Sequence, residues 1–144
     1  MAGPPPRYLG VDYGRRRVGI AVSDPLGVIA RSVGVLERKP DLASEVCRMA
    51  AGLGAGTVVV GMPLTLRGEK GEMALEVEAF IAELVRTCGL AVVTVDERFT
   101  SATAADTLIE MGVPKMKRRD KGRIDAMAAA LILQDFLDNR PGST

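Results

Sequence analysis

The first third of the chain has the pattern of three antiparallel strands. Apolar runs at 8–11 and 18–23 are separated only by the short basic turn 14–17, and so short a connection requires a hairpin. After an Asp-Pro-Leu-Gly turn, the segment 28–36 alternates loosely between apolar and polar residues, as a third strand would. The pattern therefore predicts a three-stranded meander at the start of the chain.

The remainder of the chain alternates between helical and strand periodicity. Two apolar runs are short and β-branched, which is typical of strands buried on both faces, and segments with apolar residues at helical spacing separate them. The predicted helices are 42–53, 73–88, 100–111 and 123–139, the predicted strands are 57–60 and 91–95, and 112–122 is predicted to be a basic loop. This order predicts an α/β fold with a five-stranded mixed sheet. Both later strands should be parallel to the first, with helices on the faces of the sheet.

The composition is that of one ordinary globular domain. The chain has 144 residues, of which 47% are hydrophobic and 26% charged, so we predict a single domain over 1–144 with flexible termini at 1–6 and 140–144. No apolar run approaches the ~20 residues needed to cross a bilayer, and no apolar signal segment precedes the first strand. We therefore predict a protein that is not secreted and has no membrane partner. Cys47 and Cys88 have no motif spacing, and we predict that they are reduced core residues rather than disulfide partners.

The chain contains no histidine, so any chemistry must rely on other groups. Histidine-dependent triads and bases are excluded, and zinc sites are disfavoured. Asp12 and Glu97 close apolar strand-like runs, where an uncompensated charge is costly to bury, and Asp125 lies near the start of an alanine-rich helix. Because hard cations prefer oxygen ligands, these acids predict a Mg²⁺ or Mn²⁺ site used in phosphate chemistry. Asp96 competes with Glu97, and since adjacent strand residues face opposite sides of a sheet, the residues alone do not choose between them.

Two basic clusters lie beside the proposed ligands, although the net charge is only +1. One is the turn that follows Asp12, and the other is the run 115–123 that precedes Asp125. We predict that both contact the phosphate backbone of a nucleic acid. The predicted contacts are Arg15, Arg16, Arg17, Lys115, Lys117, Arg118, Arg119, Lys121 and Arg123, together with Arg98, which could instead brace a carboxylate.

Four motifs occur in order along nearly the whole chain. They are Leu9-Gly10-Val11-Asp12-Tyr13-Gly14, Val60-Gly61-Met62-Pro63-Leu64, Asp96-Glu97-Arg98-Phe99-Thr100-Ser101 and Lys121-Gly122-Arg123-Ile124-Asp125-Ala126. Together they resemble the YqgF (RuvX) family of RNase H-like nuclease-fold proteins, which are related to Holliday junction resolvases. Met62 and Phe99 replace the family's usual leucines. Thr65 and Arg67 stand where many members carry Asn and Asp, which leaves open any substrate contact of the 61–71 loop.

The resemblance implies an RNase H-like fold and an endonuclease that works with two Mg²⁺ or Mn²⁺ ions. It assigns Asp12, Glu97 and Asp125 as metal ligands and catalytic residues, and it favours Glu97 over Asp96. It also implies processing of the 5′ end of pre-16S rRNA in a bacterial cytoplasm.

The resemblance leaves the substrate and the oligomeric state open. The nucleic-acid partner would be structured RNA, or branched or single-stranded DNA for the alternative activity, Holliday junction resolution. A resolvase should be a homodimer rather than a monomer, because two strands must be cut symmetrically. Alternatives of other classes are a nucleic-acid-binding module without catalysis, which the three acids disfavour, and an actin-like ATPase, for which the chain is too short.

Overall fold

The computed structural model describes residues 7–64, 67–97 and 118–140, and the side chains of 118–124 lie outside this description. The strands are β1 (Arg7–Tyr13), β2 (Arg17–Ser23), β3 (Ala30–Glu37), β4 (Ala55–Met62) and β5 (Ala91–Asp96). The helices are α1 (Leu42–Leu53), α2 (Glu72–Cys88) and α3 (Arg118–Asn139). The predicted helix 100–111 falls outside the described residues.

The five strands form one mixed sheet in the order β3-β2-β1-β4-β5. Strands β1, β2 and β3 pair as an antiparallel meander, while β4 is parallel to β1 and β5 is parallel to β4. The predicted α/β architecture is therefore confirmed, including the two parallel strands that follow helices. This order places β1 at the centre of the sheet, with its carboxyl end flanked by β2 and β4.

Helices cover both faces of the sheet, as predicted. Helices α1 and α2 pack on one face against a core that includes Leu9, Val11, Val58 and Val60. Helix α3 packs on the opposite face against a second core that includes Val59. Because side chains alternate along a strand, the continuous apolar run of β4 supplies both cores, and its three valines are fully buried.

Two predicted elements differ from the structure. Strand β5 is not buried on both faces: it is an edge strand, and Val93 is 37% exposed. The last helix begins at Arg118 rather than at residue 123, so the prediction of a loop is wrong for 118–122. Arg and Lys are good helix formers, and a single glycine inside a helix costs only about 1 kcal/mol, so Gly122 does not end this one.

A disulfide joins Cys47 and Cys88, so the prediction of two reduced cysteines is wrong. Cys47 lies within α1 and Cys88 is the last residue of α2, and these helices pack side by side on the same face of the sheet. Their Cα atoms are 5.4 Å apart, which is ordinary for a disulfide. The pairing depends on how the two helices pack, which the spacing of 41 residues does not encode.

The carboxyl end of α3 is tied to the meander. Gln134 Nε2 donates to the Val28 carbonyl, and its Oε1 accepts from the Ala30 amide, at 2.8 and 2.9 Å. Arg140, which we assigned to a flexible tail, donates to the Tyr8 hydroxyl at 2.9 Å and to the Gly27 carbonyl at 3.1 Å. Within the described ranges, no helix has the length and apolarity needed to cross a membrane.

Candidate active site

Asp12 lies near the carboxyl end of the central strand and faces α3. Its partner across the antiparallel pair is Gly19 on β2, and paired residues project from the same face of a sheet. A side chain added at Gly19 would overlap with the backbone carbonyl of Asp125, which identifies this face as the one that α3 covers. Asp12 itself is half-buried there.

Asp125 is carried to this face by the first half of α3. Its backbone lies directly against Gly19, where only a glycine leaves enough room. Its Oδ2 accepts a hydrogen bond from Arg17 Nε at 2.8 Å, within an ion pair whose side chains are 25% and 32% exposed. Gly19 therefore leaves room for the backbone of Asp125, and Arg17 binds the Asp125 carboxylate.

Glu97 follows β5 and turns its carboxylate toward the same face. An alanine at Gly61, near the end of β4, would overlap with Glu97 Oε1 and would lie 2.7 Å from Ile132 Cδ1 on α3. Asp96, in contrast, pairs with Met62, which packs into the core under α1 and α2. The register thus places Asp96 toward the opposite face of the sheet from Asp12.

The three acids therefore lie on the same face of the sheet, over three adjacent strands. Gly19, Asp12 and Gly61 lie at neighbouring positions on β2, β1 and β4, because Val11 pairs with Val60 one residue before Asp12. Neighbouring strands are about 4.8 Å apart, so the glycine positions that Asp125 and Glu97 cover lie on either side of Asp12.

The donor set suits a hard cation. All three groups are carboxylates, and a divalent ion of the Mg²⁺ or Mn²⁺ type prefers oxygen ligands. The space above Gly61, which a Cβ atom would fill, holds the Glu97 carboxylate. Among the described residues, no three acidic or cysteine side chains are grouped closely enough to form a preformed metal site. The three residues suit such an ion, because they supply oxygen ligands from one face of the sheet. To bind it, their carboxylates would have to move closer together.

The basic turn beside this site is held by Arg38. Arg38 Nη1 donates to the Arg15 carbonyl at 2.8 Å, and its backbone amide donates to the Arg16 carbonyl at 3.2 Å. The Arg38 guanidinium also lies 4.6 Å from the centre of the Tyr13 ring. Arg15 and Arg16 are exposed, whereas Arg17 points to Asp125. Of the three arginines predicted to contact phosphate in this turn, Arg17 therefore differs from Arg15 and Arg16 in being paired with an acid.

The second predicted basic cluster is described only in part. The first turns of α3, which precede Asp125 in the chain, contain Arg118, Arg119, Lys121 and Arg123. The side chains of these four residues lie outside the described part of the structure. Arg98, Lys115 and Lys117 fall outside the described residues.

The glycines that make room for the acids and for α3 were not among the predicted site residues. Gly10, Gly19 and Gly61 all face α3, and a Cβ atom at Gly10 would lie 2.8 Å from Leu133 Cβ. A signal was present, because Gly10 and Asp12 lie two positions apart on one strand and so share a face. Arg38 was also missed, since it lies 23 residues from the turn that it stabilises.

The chain matches the family model described as "RuvX: Holliday junction resolvase" over residues 6–139. A protein of Salinibacter ruber is 44% identical over 138 residues, which are 94% of each chain. A protein of Anaeromyxobacter sp. is 42% identical over 137 residues, which are 93% of this chain and 98% of the relative. Both relatives carry the name "Putative pre-16S rRNA nuclease".

Solved structures share the fold. Thermus thermophilus RuvC in complex with a Holliday junction substrate superposes with a TM-score of 0.58 at 18% identity, covering 95% of this chain and 96% of that one. The fowlpox virus Holliday junction resolvase gives a TM-score of 0.51 at 12% identity, covering 92% and 98%. Identities this low show the fold alone, which is the predicted RNase H-like fold of RuvC-type resolvases.

Proposed function

Since the chain belongs to the RuvX family, we propose that it is a metal-dependent endonuclease that processes the 5′ end of pre-16S rRNA. One observation carries this proposal: Asp12, Glu97 and Asp125 come from three distant parts of the chain and lie on one face of the sheet. The name shared by the relatives supports the RNA substrate.

The three carboxylates would hold Mg²⁺ or Mn²⁺, with Asp12 as the central ligand. It lies between the Asp125 and Glu97 sides of the site, so it would hold metal together with either of the other two carboxylates, as the shared ligand of a two-metal nuclease would. When bound, such ions supply an activated water and stabilise the leaving oxygen of a phosphodiester. Asp12 lies on β1, Glu97 follows β5 and Asp125 lies on α3. The packing of α3 on the sheet would therefore set the distances between the three ligands.

The basic residues beside the site would bind the substrate backbone. Arg15 and Arg16 are exposed on a turn whose backbone Arg38 fixes, so their guanidinium groups can reach phosphates without disturbing the sheet. Helix α3 begins with a further basic run that leads toward Asp125. Such contacts position a strand and carry no sequence information, so they would suit structured RNA of many sequences.

A cleavage panel tests the proposed function. Precursor 16S rRNA leader, single-stranded RNA, single-stranded DNA, duplexes and a four-way DNA junction are incubated with the protein and Mg²⁺ or Mn²⁺. The Asp12→Asn variant should lose cleavage of the precursor. The matched control is Asp41→Asn, an exposed residue whose side chain makes no capping hydrogen bond at α1, and it should cleave like the unmodified protein. Undiminished metal-dependent cleavage by Asp12→Asn would contradict the proposal.

Holliday junction resolution is the second candidate, because the matching family model carries that description. The same carboxylates could act on DNA, since both substrates present the same phosphodiester. Symmetrical cutting of the four-way junction by a dimer, with no cleavage of precursor RNA, would favour this activity over rRNA processing.

A further inference from the structure

We propose that Arg17 is a positioning residue, which orients Asp125 for cation binding, and not one of the phosphate contacts. The inference rests on the proposed function, because it assigns a role to Arg17 within the same candidate metal site. It separates Arg17 from Arg15 and Arg16, with which it forms one continuous basic cluster in the sequence.

The contact between Arg17 and Asp125 is a short hydrogen bond to one carboxylate oxygen. Arg17 Nε donates to Oδ2 of Asp125 at 2.8 Å, which is the length of a charge-assisted hydrogen bond. Only one carboxylate oxygen takes part, so Oδ1 lies outside this bond and can serve a cation. Carboxylates that ligate metals are commonly held in this way by a second hydrogen-bonding partner.

Two residues on the same face of β2 hold Asp125. Arg17 and Gly19 lie two positions apart and project from one side of the strand. Gly19 accommodates the backbone carbonyl of Asp125, and Arg17 binds its carboxylate. The backbone and the side chain of Asp125 are therefore both fixed against a single strand.

The backbone of the donor, Arg17, is fixed by hydrogen bonds on both sides of the turn and the strand. The Arg17 carbonyl accepts a hydrogen bond from the Gly14 amide at 3.0 Å, which closes the turn, and Arg17 pairs with Glu37 across β2 and β3. A Cβ atom at Gly14 would lie 2.6 Å from the Arg17 carbonyl oxygen, so the tight turn depends on that glycine. Arg17 therefore presents its guanidinium from a fixed backbone, as a positioning residue should.

A competing role predicts the opposite effect on metal affinity. If Arg17 only neutralised Asp125 until a cation displaced it, removal of Arg17 would strengthen cation binding. If Arg17 orients Asp125, its removal would weaken cation binding, although the site loses a positive charge. The direction of the change therefore distinguishes the two roles.

The test is calorimetric titration of Mn²⁺ alone into the full-length protein and its variants. Arg17→Met should weaken Mn²⁺ affinity by about tenfold or more, the usual effect of removing a partner of a ligand. Arg17→Lys, which keeps the charge, should recover part of this loss. Arg31→Met removes one exposed positive charge on β3, away from the site, and should leave the affinity within about twofold of the unmodified protein. Circular dichroism checks that each variant is folded.

A double-mutant cycle separates positioning from a general structural effect. In an Asp125→Asn background, Arg17→Met should cause little further loss, because the two residues act through one contact. Unchanged or tighter Mn²⁺ binding by Arg17→Met overturns the inference, as does an equal loss in both backgrounds. If the unmodified protein binds no Mn²⁺, the proposed metal-dependent function fails together with the inference. Failure of the inference alone is recognised by normal Mn²⁺ binding that does not depend on Arg17.

Discussion

Replacement of Gly61 by alanine tests whether the position of Glu97 matters for activity. The added Cβ atom would overlap with Glu97 Oε1 and would lie 2.9 Å from Glu97 Cδ and 2.7 Å from Ile132 Cδ1. Ile132, on α3, is fully buried against the sheet and cannot move away easily, whereas the Glu97 side chain is only half-buried. The carboxylate of Glu97 is therefore expected to leave its place above β4.

The expected magnitudes follow from this displacement. Inserting a methyl group into a packed site lowers the free energy of unfolding by about 1–3 kcal/mol, and the low end applies if Glu97 swings aside. The cleavage rate should fall strongly even though the protein stays folded, because a displacement of about 1 Å in a catalytic group can lower the rate by about 10²-fold. We therefore expect Gly61→Ala to be a folded protein with strongly reduced cleavage.

The assays are urea unfolding followed by circular dichroism and cleavage of precursor rRNA in Mn²⁺. Gly52→Ala is the matched control, since nothing lies within 4 Å of the added Cβ atom in α1. That substitution should stabilise the protein by about 0.5–1 kcal/mol and leave cleavage unchanged. Cleavage by Gly61→Ala at the unmodified rate would refute the argument that Glu97 must occupy the space above Gly61.

Three further predictions concern stability. Hydrogen bonds from the amides of Ile29 and Val28 hold the pKa of Asp24 below its ordinary value of 3.8. The Asp24 carboxylate therefore contributes its full stabilisation of the folded state above pH 3.8, and this stabilisation is lost as the pH falls through the lowered pKa. The Tm difference from Asp24→Asn should shrink only in that range. Reduction of the Cys47–Cys88 disulfide should lower the free energy of urea unfolding by about 4 kcal/mol, the chain-entropy value for its loop, and dithiothreitol should not affect Cys47→Ser. Gln134→Ala removes two hydrogen bonds to the meander, one exposed and one partly buried, and should cost about 0.5–1.5 kcal/mol in the same measurement; no loss would contradict the role of Gln134.

Local patterns were sufficient to predict most of the fold. The short connection at 14–17 predicted the hairpin. The continuous apolar run Val58–Val60 predicted an interior strand that is buried on both faces. The same reasoning failed for β5, because an edge strand can carry an equally apolar run. The disulfide escaped prediction because helix packing, rather than spacing in the chain, brings Cys47 and Cys88 together.

The residue types of the candidate site come from the sequence, whereas its geometry comes only from the fold. Asp12 could be placed at a strand end from its own motif. The choice between Asp96 and Glu97 depended on the face of a strand, and a shift of one residue reverses the face. The pairing of β4 with β5 fixes that register by placing Asp96 beside Met62. Such a pairing is a tertiary property, which the residues around Glu97 do not encode by themselves.

Glycines on the sheet, rather than the acids alone, determine how the carboxylates approach one another. Gly10 and Gly19 allow α3 to lie directly on β1 and β2, and this sets the height of Asp125 above the sheet. Gly61 provides the corresponding space for Glu97 on β4. A larger residue at any of these positions would keep all three carboxylates in the chain while moving at least one away from Asp12. Substitution of a glycine and substitution of an acid should therefore impair the same site by different routes, the first by geometry and the second by loss of an oxygen ligand.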